Sequence, residues 1–295
     1  MPCNINTAIR IMKDVKMDDS LQLRILNRLL NKLQKLELTD ITPVHLGKEA
    51  GDLLREYLKD NINREKNEFA IDYMLKKYSF FENIVKDSKE PLESAIRLAV
   101  AGNIIDIAPG HSINIEKTVE RVLNASFDID NITRLSNDLK EAKTLLYVGD
   151  NCGETVLDKL LIETANVENV FYAVRSKPVL NDVTYETAVR SGLNNCATII
   201  DSGSDAPGVI EDLMSDRFRQ LLQDSDVVIA KGQGNFESMS GFDTPIYFLL
   251  MAKCNVIANY LGVEKGSFIV KKTENRDRKT TKDEKPRVRE PEKKD

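Results

Sequence analysis

From residue 6 to about residue 142 the apolar positions recur at three- and four-residue steps, the period of helices with one buried face. Leu26, Leu29, Leu30, Leu33 and Leu36 form such a stripe after the cap-like Asp18-Asp-Ser20. Similar patterns span residues 43–58, 68–85, 91–105, 115–123 and 132–141, divided by Asp, Asn, Gly and Pro. No heptad persists, so the stripes predict core packing rather than a coiled coil. No strand is expected in this half. At Thr144 the pattern changes: short apolar runs at 145–148, 170–174, 197–200, 227–230 and 268–270 alternate with helical stretches. That alternation predicts an α/β fold with a parallel, doubly wound sheet. A helical domain over residues 1–142 and an α/β domain over residues 143–270 are expected. Beyond Lys271 almost no apolar residue remains to offset the entropy of ordering, so residues 271–295 read as a disordered charged tail.

The 295 residues carry a net charge of −5, but the tail from residue 271 holds eleven Lys/Arg and seven Asp/Glu. Residues 1–270 therefore bear 31 basic and 40 acidic residues, net −9. An acidic body with 6% aromatics and no Trp is poorly suited to nucleic acid, whose backbone is held by clustered Lys and Arg. No apolar run is long enough to span a bilayer and the first residues carry no signal-peptide core, so a cytoplasmic protein without a membrane partner is expected. The four cysteines form no CxxC pair and only two histidines exist, which argues against a Cys/His zinc site.

Polar turns follow the expected strands. In Gly149-Asp-Asn-Cys-Gly153 the strand runs out at the carboxyl edge of the sheet, where open α/β folds bind ligands. Asp150 beside Asn151 there suits a hard cation, although both residue types also serve as ordinary turns and helix caps. The second strand brings Arg175, Asn181 and Asp182 past the same edge; Arg175 suits an anionic substrate, and Asp182 suits either an oxygen-ligand set or an N-cap. Lys231-Gly-Gln-Gly-Asn235 combines a lysine with two glycines that open the backbone to an anion, or forms a plain flexible turn.

Several chemistries fail on spacing. No GxGxxG follows the first strand and no Walker motif occurs. Six residues after Cys152, where a cysteine phosphatase needs Arg, stands Asp158; two after Asp150, where an aspartyl-nucleophile phosphatase has a second acid, stands Cys152. An S-adenosylmethionine-dependent methyltransferase, with only a loose imitation of its glycine-rich turn at residues 149–153, and a non-catalytic phosphometabolite-binding module remain as alternatives.

Taken together, Gly102-Asn103 with Asp106, Gly149-Asp-Asn-Cys-Gly-Glu154, Arg175 with Pro178 and Asn181-Asp182, Asp201-Ser-Gly, and Lys231-Gly-Gln-Gly-Asn235 resemble, in order and spacing, the metal-dependent damage-control phosphatases in their stand-alone prokaryotic branch. The likeness covers residues 3–270. It implies a helical domain packed on a Rossmann-like domain with a divalent cation in the cleft. Asp150, Asn151 and Asp182 fall on metal-ligand positions, and Lys231 and Asn235 on the phosphate-side loop. Asn103, Asp106, Glu154 and Arg175 fall on motifs facing the cleft. The implied catalytic set is Asp150, Asp182 and Lys231, the implied activity hydrolysis of small, damaged or surplus phosphometabolites. Oxygen ligands alone admit Mn²⁺, Mg²⁺, Co²⁺ or Ni²⁺.

Overall fold

The structure is a computed structural model that describes residues 2–35, 42–58, 63–104 and 114–274. Three helices open the chain, α1 (Pro2–Asp14), α2 (Asp19–Leu33) and α3 (Pro43–Arg55). The Asp18 side chain accepts from the Ser20 backbone and caps α2, as the sequence predicts. Of the leucine stripe, Leu29 and Leu33 are buried, joined by Ile25, while Leu26 is half-buried, Leu30 is exposed and Leu36 lies outside the described residues. These helices bury a core of their own, with Met12, Leu46 and Leu53 at its centre.

The expected helix over 68–85 is two helices, α4 (Arg64–Lys76) and α5 (Tyr78–Lys86), broken at Lys77. α6 (Pro91–Gly102), α7 (Ile115–Asn124) and α8 (Ile132–Glu141) follow, with β1 (Ile129–Asp130) between the last two. β1 corrects the expectation of no strand in this half: two residues are too few to show a period of two. The remaining strands are β2 (Thr144–Val148), β3 (Asn169–Val174), β4 (Thr198–Asp201), β5 (Val227–Lys231), β6 (Tyr247–Met251) and β7 (Phe268–Lys272). Between them lie α9 (Thr155–Ala165), α10 (Tyr185–Arg190), α11 (Asp216–Asp224), α12 (Gly232–Met239) and α13 (Asn255–Leu261).

The seven strands lie in the order β1-β7-β6-β5-β2-β3-β4. β2 to β6 are mutually parallel, but β7 runs antiparallel to β6 and β1 follows it, so the expected parallel sheet is reversed at one edge. β7 also takes in Lys271 and Lys272, two residues of the stretch read as tail; Lys272 reaches Asp138 at 2.6 Å. The rest of that tail from residue 275 lies outside the described residues.

Alternate side chains of β2 serve two cores. Leu145 and Tyr147 pack with α4 to α9, while Leu146 and Val148 pack with α11, α12 and α13 on the opposite face. The first core is continuous across residue 142, because α6, α7 and α8 cover the same sheet face as α9. From β2 the chain winds outward through β3 and β4; from β5 it winds the other way through β6. The switch therefore falls between β2 and β5, and the crevice at their carboxyl ends is lined by the two polar turns picked out above.

Candidate active site at the β2–β5 switch

The turn after β2 is sewn to residues 181–183. Val183 N–H donates to Asp150 O at 2.8 Å and Cys152 N–H to Asn181 O at 2.8 Å, and Asn151 pairs with Asp182 as an antiparallel bridge. That pairing sets the Asp150 and Asp182 carboxylates side by side. Two glycines make the approach possible. A Cβ on Gly149 would stand 2.6 Å from the Tyr172 hydroxyl and 2.7 Å from Val183. One on Gly232, whose φ is +81°, would stand 1.8 Å from Asp150 Oδ2.

Around Asp150 the side chains interlock. Asn103, at the end of α6, donates through Nδ2 to Asp150 Oδ2 at 3.0 Å and to Glu154 Oε1 at 2.9 Å. Asn151 Nδ2 donates to the same two oxygens. Lys231 is 0% exposed and lies between Glu154 Oε2 at 2.6 Å and Asp158 Oδ1 at 2.7 Å. Arg175 Nε meets Asp182 at 2.7 Å, and its Nη2 donates to Asn235 Oδ1 at 3.1 Å. Asn235 in turn donates to Gly149 O at 3.1 Å and Lys231 O at 2.7 Å, tying the ends of β2 and β5. Of the residues expected at the site, Asn103, Asp150, Asn151, Glu154, Arg175, Asp182, Lys231 and Asn235 converge; Asp106 lies outside the described residues.

Four buried carboxylates, Asp150, Glu154, Asp158 and Asp182, share two buried cations, Lys231 and Arg175. Burial, with Glu154 and Asp182 adding repulsion, pushes Asp150 up to about 7. Burial also raises Asp182, although Arg175 opposes it. Glu154, which burial alone would raise, is held below its ordinary value by Lys231 and Lys253. Lys253 follows β6 and is exposed, and its charge acts on Asp150, Glu154 and Asp182 alike. Sequence reasoning missed it along with β6, since the run Tyr247–Met251 is five apolar residues with no telling period.

Cys152 sits beneath the turn, 1% exposed, its thiol donating to Asp182 O at 3.2 Å. Burial pushes that thiol up to about 12, so it stays protonated and a poor nucleophile at neutral pH. Cys152→Ser is therefore expected to keep the activity of the site within about tenfold of wild type; a dead variant in a steady-state assay would place the chemistry on sulfur instead.

Among the described residues, no group of three or more His, Cys, Asp or Glu side chains is disposed to hold an ion as it stands. Asp182 is turned to Arg175 and Glu154 to Lys231. The donors nonetheless fit a hard divalent cation. The cluster holds two carboxylates more than buried cations, and Asn103 Oδ1 is buried beside it without a hydrogen-bond partner among the described residues.

Known proteins resemble this chain in sequence and in fold. A family model for the damage-control phosphatase ARMT1-like domain matches residues 1–269. The uncharacterised protein MJ0202 of Methanocaldococcus jannaschii is 32% identical over 288 residues, covering 92% of this chain and 93% of that protein. Damage-control phosphatase PH1575 of Pyrococcus horikoshii is 38% identical over 209 residues, 68% of this chain and 72% of that one. The crystal structure of the Pyrococcus horikoshii protein, described as a DUF89 family member, superposes with a TM-score of 0.81 at 31% identity, over 93% of this chain and 97% of that chain. The chain belongs to the damage-control phosphatase family. It is a metal-dependent phosphatase of small phosphometabolites, and the methyltransferase alternative finds no support.

Proposed function

We propose that the crevice between the ends of β2 and β5 hydrolyses phosphate monoesters, with Asp150, Asn151 and Asp182 holding the cation. The observation that carries this reading is the convergence of four buried carboxylates on only two buried cations. A bound divalent cation supplies charge to polarise a phosphoryl oxygen and to acidify an attacking water. A monoester brings about two further negative charges near neutral pH, so the chain must meet it with cations of its own. Arg175 has a buried Nη1 without a partner among the described residues, and the charge of exposed Lys253 acts on the acid cluster; these two suit the phosphoryl oxygens. Lys231 and Asn235, the expected phosphate-side pair, are both engaged within the protein, which makes them holders of the site's walls.

The acidic body favours a small anionic substrate over nucleic acid. No helix among the described residues is long and apolar enough to cross a membrane. Mn²⁺, Mg²⁺, Co²⁺ and Ni²⁺ all accept this oxygen set, and a metal-reconstitution series ranks them. Phosphate release from an aryl phosphate and from a panel of sugar and pantetheine phosphates is expected to fall to background after chelation and to return with added cation. Undiminished turnover after exhaustive metal removal would overturn the reading.

A further inference from the structure

One buried acidic side chain next to the site has no part in the mechanism above. Asp158 lies on α9 one turn beyond Glu154, 0% exposed, on a helix whose Val156, Leu157 and Leu161 belong to the first core. Its Oδ1 accepts from the Tyr147 hydroxyl at 2.7 Å and from Lys231 at 2.7 Å, and its Oδ2 accepts from the Tyr172 hydroxyl at 2.9 Å. The tyrosines come from register-paired positions of β2 and β3 and stack with centroids 5.4 Å apart. Both carboxylate oxygens are thereby fixed.

Stability alone does not account for such a group. A buried ion triad is commonly replaced by apolar side chains without loss, since desolvation cancels most of the attraction. The contacts lead instead toward the site. Lys231, gripped by Asp158, holds Glu154 Oε2, and Glu154 Oε1 accepts from Asn151 and Asn103. A second route ends at the same place: the Tyr172 hydroxyl stands under Gly149, in the space a Cβ would need, directly before Asp150.

We propose that Asp158, clamped by Tyr147 and Tyr172, is a positioning residue of the phosphatase site. It fixes Lys231 on Glu154 and, through Glu154, sets the side-chain orientation of Asn151 and Asn103 beside Asp150. The proposal rests on the reading of Asp150, Asn151 and Asp182 as the cation's holders. Outer partners of this kind are typically worth 10- to 100-fold in metal affinity or activity when removed.

The test is calorimetric titration of Mn²⁺ into the full chain, with kcat, KM and melting temperature measured on the same samples. Asp158→Asn is expected to weaken Mn²⁺ binding by about 10- to 100-fold and to lower kcat with KM little changed, because Asp158 touches no substrate. The double variant Tyr147→Phe with Tyr172→Phe keeps the charge and most of the packing, so it serves if Asp158→Asn fails to fold; about a tenfold loss of Mn²⁺ affinity is expected. Wild-type binding together with unchanged affinity and kcat in the variants, whatever happens to melting temperature, would overturn the positioning role alone. A wild-type chain that takes up no Mn²⁺ and releases no phosphate would overturn the site reading, and the proposal with it.

Discussion

Asp150→Asn and Asp182→Asn are each expected to cost at least about a hundredfold in Mn²⁺ affinity and in turnover; Asp150→Asn should leave the protein folded, whereas Asp182→Asn also takes the partner from buried Arg175 and should lower the melting temperature. The substitution keeps shape but deletes one of the two carboxylates offered to the cation, a larger change than the 10- to 100-fold of an outer partner. The fold survives Asp150→Asn because the charge removed is one the metal-free protein holds at a cost. Burial and the neighbouring Glu154 and Asp182 push Asp150 up to about 7, well above an ordinary carboxylate. A carboxyl raised on folding binds its proton more tightly in the native state, so its contribution to stability is full in acid and is lost as pH rises through about 7. Asparagine has no proton to lose. In metal-free protein the Asp150→Asn variant should therefore gain on wild type as pH rises from about 4 to about 7, by roughly 2 °C or more in melting temperature per kcal/mol for a chain of this size. Saturating Mn²⁺ should reverse the order, since only wild type gains from mass action. Parallel melts with and without Mn²⁺ check both signs; a metal-free variant that is less stable than wild type at pH 8 would show that the carboxylate is not crowded.

Lys231→Met is expected to damage folding more than any substrate contact. If Lys231 reached into the crevice to touch phosphate, its loss would raise KM and leave the melt alone. The side chain is instead 0% exposed, its ammonium shared by Glu154 at 2.6 Å and Asp158 at 2.7 Å, and those two carboxylates hold it charged despite burial. Removing one member of a buried pair strands its partners and typically costs about 3–5 kcal/mol. For a chain of this size that corresponds to a fall of order 10 °C in melting temperature. Removing one of the two stranded carboxylates should recover part of it: Lys231→Met combined with Asp158→Asn is expected to melt above the single variant, because only Glu154 is then left without its cation. Thermal unfolding of the three proteins decides the matter. A single variant that melts with wild type and loses only substrate affinity would place the ammonium in the crevice.

Much of the architecture could be read along the chain. α8 occupies residues 132–141 as its apolar period predicts, and the run at 145–148 is the buried core of β2. Polar turns at the ends of β2 and β5 announced a crevice, and the quoted motifs named nearly every residue that now converges on Asp150. These are features of short range, set by the period of burial and by the backbone preferences of Asp, Asn and Gly, and so they are written in consecutive letters.

Other features were decided by residues far apart in sequence. β1 exists because β7 offers it a partner, and β6 because it is held between β5 and the antiparallel β7, not because their own letters alternate. The placement of Lys253 beside the acids followed only once β6 was a strand. Asp158 reads as an odd acid on an apolar helix face until Tyr147, Tyr172 and Lys231, from three different strands, close around it. The sequence by itself determined which polar and charged groups this protein has and which sheet edge carries them. Tertiary structure decided which of them touch, because whether a lysine faces solvent or braces a carboxylate depends on burial and on distances of about 3 Å between residues some seventy positions apart.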